Sequence, residues 1–84
     1  TIEIVVYNID AAIQAEKGGA DRIELCDNPG EGGTTPSAGI IETVKQALHI
    51  PVFVMIRPRG GDFCYFAHEF ESMKKDISFC KALG

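Results

Sequence analysis

The sequence has no long hydrophobic run, no basic cluster and no closely spaced cysteines. Its apolar stretches fall far short of the roughly 20 residues that a membrane-spanning helix needs, so no membrane partner is expected. No charged segment followed by a long apolar stretch opens the chain, so no secretory signal is expected either. Eight basic residues against 12 acidic ones leave a net charge of −4. That is the wrong sign for the basic face that a phosphate backbone demands, which speaks against nucleic acid. Three cysteines, an odd number without Cys-x-x-Cys spacing, fit reduced thiols in a cytoplasmic protein better than a disulfide scaffold. The turn Tyr7-Asn8-Ile9-Asp10 has no glycine, so the dinucleotide fingerprint is missing. The glycine-rich stretch Gly30 to Thr35 lacks the Gly-Lys-Ser/Thr ending of a P-loop, and no nucleotide cofactor is expected. His49 and His68 are too far apart for a two-histidine zinc motif.

What is present is enough for a small core: 84 residues, 45% of them hydrophobic. Ile2 to Tyr7 alternates and is β-branched, which predicts a strand. Asn8 and Asp10 are candidate caps for a short helix of small residues that stops at Gly18-Gly19. Asp21 to Cys26 predicts the second strand, and Asp27 to Thr35 is a turn-rich loop. Thr35-Pro36 predicts the start of a second helix, with Ile40, Ile41, Val44, Ala47 and Leu48 on one face. A third strand runs from Val52 into Ile56 and breaks at Arg57-Pro58. Phe70, Met73, Ile77 and Cys80 then mark a third amphipathic helix, with acidic residues in its first turn and Lys81 in its last.

The order βαβαβα requires parallel strands joined by right-handed crossovers. Parity within the strands indicates how the sheet is used. Ile2, Ile4, Val6, Ile23, Leu25, Val52, Val54 and Ile56 fall on aliphatic faces. Glu3, Val5, Tyr7, Arg22, Glu24, Cys26, Phe53 and Met55 fall on mixed faces. One aliphatic face and one mixed face per strand fit a barrel with a functional interior better than an open sheet covered on both sides. The fold class expected is α/β, the N-terminal βαβαβα portion of a TIM (β/α)₈ barrel, as one partial domain over residues 1–84. A complete barrel takes about 250 residues, so about three of eight units are expected here.

Three ordered motifs resemble the CutC copper homeostasis family. They are Gly19-Ala-Asp-Arg-Ile-Glu-Leu-Cys26, Glu31-Gly-Gly-Thr-Thr-Pro-Ser37 with Gly39, and Met55-Ile-Arg-Pro-Arg-Gly-Gly-Asp-Phe-Cys-Tyr65. The resemblance covers essentially the whole chain and implies a cytosolic TIM-like barrel, linked to copper tolerance and proposed to bind Cu(I). It also implies a whole molecule about three times as long, as the barrel size requires.

Cu(I) prefers thiolate, thioether and imidazole ligands. Cys26 closes the second strand and Cys64 lies in the loop after the third, so both belong to the C-terminal mouth and could form a two-coordinate site. Each is equally readable as a small buried apolar residue. Met55 points inward but is expected deeper in the barrel, and Cys80 is expected away from the mouth.

An alternative chemistry uses the charges at the same mouth. Arg57 and Arg59 could clamp a carboxylate or phosphate, with Glu24 as a general base and Asp62 beside them. That set would suit acid/base chemistry on a small anionic metabolite, and it would equally serve as ion pairs bracing the barrel wall. The Gly30 to Thr35 loop is first of all a turn that leads into a helix, with a lid role left open. Three strands alone would leave two sheet edges unpaired, so the isolated chain is expected to be either partly unfolded or self-associated through those edges.

Overall fold

A computed structural model describes all of residues 1–84. Three strands, β1 (Glu3–Val6), β2 (Arg22–Leu25) and β3 (Val52–Val54), alternate with three helices, α1 (Ile9–Lys17), α2 (Ala38–Ala47) and α3 (Ala67–Leu83). The strands form one parallel sheet in the order β1-β2-β3, with Val6 opposite Leu25 and Leu25 opposite Val54. Sequential parallel strands with helical crossovers are the repeating unit of the expected barrel.

The helices lie against the aliphatic face of the sheet. Val6, Ile23 and Leu25 from the strands meet Ala12 and Ala15 of α1 and Ile41 and Val44 of α2, forming one buried cluster. Alanines at the α1 contact let that helix approach the sheet closely. The side chains of Ile23, Leu25, Ile41 and Val44 are fully buried, and each contributes roughly 1.5–3 kcal/mol relative to exposure. The opposite face is open: Val5 and Phe53 are exposed, and Arg22 Nε bonds Glu3 Oε2 at 2.6 Å. Exposed as it is, that pair adds at most about 1 kcal/mol.

Several local expectations hold. Asn8 caps α1, its side chain accepting from the Ala11 amide at 2.7 Å, and the helix ends at Gly18. Others are corrected. α2 is capped by Ser37, which accepts from the Ile40 amide, and not by Thr35. Thr35 is engaged elsewhere: its hydroxyl accepts from the Arg57 amide at 2.7 Å, and its own amide donates to the Arg57 carbonyl. β3 is also shorter than predicted, because β2 gives it a partner only through Leu25, whose carbonyl accepts from the Met55 amide.

The third correction concerns the apolar stripe on α3. Phe70 and Ile77 are exposed, while Cys80, the last member of the stripe, packs on the core together with Phe79 and Leu83, which lie outside the predicted stripe. Phe70 meets the Tyr65 ring edge-on, with 6.0 Å between centroids, and Ile77 faces an open groove beside β3.

Candidate functional site

The C-terminal ends of β2 and β3 carry two loops that lie against each other. The first, residues 27–35, closes on itself through an antiparallel bridge between Asp27 and Thr34 and contains a short 3₁₀ turn, Pro29–Glu31. Its return strand passes over Cys26. At Gly33, where φ is +97°, a Cβ would lie 3.5 Å from Cys26 Sγ and 3.7 Å from Met55 Cε. Glycine supplies both the left-handed backbone and the close approach here.

The second loop follows β3 and is organised by two arginines. Arg57 Nη1 donates to the carbonyls of Glu31 and Gly33, and its Nη2 donates to Gly61 O at 2.9 Å. The guanidinium lies 4.7 Å from the Phe63 ring centroid, a cation–π contact, and only its Nε is buried without a partner. Arg59 forms a short ion pair with Glu69 at 2.5 Å and also reaches Asp62 Oδ1, Asp62 O and Cys64 O. Glu69, nearly buried at the start of α3, accepts from the Phe66 amide as well. That backbone bond and the Arg59 guanidinium hold the Glu69 carboxyl below its ordinary range, against the opposing effect of burial. Arg59 is correspondingly raised by its bond to Glu69.

The predicted site residues therefore fall into two groups. Cys26, 2% exposed, sits with Glu24 on the mixed face of β2, its thiol 3.8 Å from Glu24 Oε1. Burial, with the Glu24 charge and hydrogen bond adding to it, pushes the Cys26 thiol up to about 11. Arg59 and Asp62 belong to the outer loop, tied to Glu69, and Arg57 bridges that loop to the Asp27–Thr35 loop. Cys64 is exposed, its amide donating to Asp62 Oδ1 at 3.0 Å.

From sequence Glu69 reads only as a first-turn acid of the third helix, not as a residue of the site. Its position at the third place of a helix, after a polar loop holding an arginine, is the signal that would have found it.

Cys80 packs on the core away from the mouth, as expected, and burial raises its thiol. His49 lies at the other end of the sheet, where its amide and that of Ile50 both donate to Glu16. His68 is exposed and stacks on Phe66.

What the site offers a metal follows from its donor set. No group of three or more His, Cys, Asp or Glu side chains is gathered in these 84 residues. Soft sulfur donors are present at the mouth in Cys26 and Met55, and Cu(I) accepts as few as two such ligands. No helix is long and apolar enough to cross a membrane.

Comparison with known proteins agrees with the architecture. The chain is 58% identical over 83 residues to the human copper homeostasis protein cutC homolog, covering 99% of this chain and 30% of that protein. It is 54% identical to the family protein CutC of Erwinia tasmaniensis, covering 99% of this chain and 33% of that protein. The chain thus spans about a third of the length of the curated relatives it matches. A CutC crystal structure from Streptococcus agalactiae superposes with a TM-score of 0.89 at 44% identity, over 96% of this chain and 40% of that one. The CutC family model matches residues 1–84, and the chain belongs to the CutC family.

Proposed function

We propose that this chain forms part of a copper homeostasis protein that takes up Cu(I) through thiols at the barrel mouth. The observation that carries the reading is the placement of Cys26 at the end of β2, under Gly33 and beside Glu24. A buried thiol with an adjacent carboxylate exchanges its proton for a soft cation without redox chemistry. Cys64, exposed in the loop above, is the second thiol of the reading and the one a Cu(I) donor meets first. Copper thus enters by ligand exchange at Cys64 and is retained at Cys26. Three free, separated cysteines support a reducing compartment, the cytoplasm.

An anaerobic Cu(I) competition titration tests this reading. Stoichiometric binding lost in Cys26→Ser, with slower loading at unchanged affinity in Cys64→Ser, is the expected outcome. Binding indifferent to Cys26 overturns it.

A second reading is a barrel enzyme acting on a small anionic metabolite with Glu24, Arg57, Arg59 and Asp62. The specific observation in its favour is that Glu24 lies beside Cys26, over which Arg57 holds the Gly33 loop. It stands second because both guanidinium groups already donate to protein carbonyls or carboxylates.

A further inference from the structure

Met55 follows β3 directly. It was expected deeper than Cys26, yet the two lie at the same level. Leu25 pairs with Val54 in the parallel register, so the next residues along, Cys26 and Met55, are neighbours across the strand ends. The Met55 amide donates to Leu25 O at 2.9 Å, which fixes that alignment. A Cβ built at Gly33 would lie 3.5 Å from Cys26 Sγ and 3.7 Å from the terminal methyl of Met55, so both side chains reach the underside of that loop. Met55 is half-buried.

We propose that Met55 supplies the second sulfur to Cu(I) held by Cys26, making a thiolate–thioether site beneath the Gly33 loop. The proposal rests on the copper reading above. Two soft donors on adjacent strands satisfy the low coordination number that Cu(I) tolerates. A neutral thioether next to one thiolate also leaves the Cu(I)–sulfur unit without net charge, which suits the buried setting of Cys26. On binding, the Cu–S bond to Cys26 replaces its S–H bond, and the proton passes to the Glu24 carboxylate or to water. Copper stays Cu(I) throughout. Cys64, exposed on the outer loop, is then a point of entry and not a permanent ligand.

The sequence contains only two methionines, Met55 and Met73. Selenomethionine labelling of a Met73→Leu variant therefore leaves Met55 as the only selenium. X-ray absorption at the copper and selenium edges after anaerobic loading with Cu(I) is expected to show a Cu–Se neighbour. Competition titration of Met55→Leu, a change that conserves core volume, is expected to show at least about tenfold weaker binding. Copper that is retained and lost with Cys26→Ser, but has no selenium neighbour, overturns this proposal and leaves the copper reading intact. A parent chain that retains no Cu(I) overturns both.

Discussion

The Arg57 guanidinium donates to the Gly33 carbonyl at 3.3 Å, and Gly33 is the residue that rests on the Cys26 thiol. An arginine after β3 thus holds shut a loop that follows β2. Its bond to Glu31 O on the same loop, and to Gly61 O on its own, makes the clamp two-sided. Charge-assisted hydrogen bonds of this kind are worth about 1.5–3 kcal/mol each when a partner is removed.

Arg57→Ala should therefore open the Asp27–Thr35 loop and raise the alkylation rate of Cys26 by about tenfold or more, since about 1.4 kcal/mol of easier opening is a factor of ten. Measured at fixed pH in a Cys64→Ser/Cys80→Ser background, the rate reports Cys26 alone. Arg57→Lys should recover only part of the protection, because an ammonium lacks the planar fork that spans several carbonyls. An unchanged rate in Arg57→Ala would show that the loop stays closed without the arginine. In the parent, the elevated Cys26 thiol predicts slow alkylation at pH 8 that accelerates as pH climbs toward 11, with exposed Cys64 modified first.

Glu31 and Gly60 bring the same two loops together. The Glu31 side chain crosses Gly60 so closely that a Cβ at that position would overlap its carboxylate. Gly60→Ala should destabilise the chain by about 1–3 kcal/mol, the usual cost of overpacking. Glu31→Gly should restore most of the loss, because it removes the obstructing atoms down to Cβ. A double-mutant cycle in urea measures the coupling. Additive effects would mean that the two loops do not meet as described.

At the start of α3, acid should act through Glu69. Its folded carboxyl lies below the ordinary value of 4.5, chiefly because the Phe66 amide donates to it and next because Arg59 does. A depressed carboxyl contributes stability above the unfolded-state value, and that contribution is lost as pH falls through the folded one. Hydrogen-exchange protection of the Phe66 amide, corrected for intrinsic rates, should be constant near neutral pH and fall once pH drops below 4.5. Glu69→Gln should show lower protection at neutral pH and no such acid step. A step that persists in Glu69→Gln would assign it to another carboxylate.

Strand parity, the Asn8 cap and the assignment of Cys26 to the β2 end were legible because they depend on neighbours in sequence. The cap of α2 was not: Thr35 and Ser37 are equally good capping residues, and a bond to Arg57, 22 positions away, decides between them. Likewise, the level of Met55 depends on how β3 registers against β2, which no local pattern reveals. The arginines were recognised as a pair at the mouth, but what each of them holds is set by loop carbonyls, and every residue has a carbonyl. The Phe70–Ile77 stripe was read correctly as apolar. Which of its members are covered, Cys80 and not Phe70 or Ile77, is a fact about packing and not about period.

The edges of the sheet give the last prediction. β1 and β3 each pair on one side only, and their outer backbone groups are free to bond another strand. Beside β3 the opening is also apolar, a groove lined by Val52, Val54, Ile56, Ile77 and Cys80. With the mixed face uncovered as well, Val5, Phe53 and Ile77 all stand exposed. A second copy can pair a strand along β3 and cover Phe53 and Ile77 in the same step, so the isolated chain should self-associate. Light scattering behind size exclusion should give a mass above 9.1 kDa that rises with concentration. Val54→Lys, placing a charge on the open edge strand, should shift the distribution toward monomer. A compact monomer at every concentration would mean that the open edges are protected, and that the three units are a self-sufficient fold.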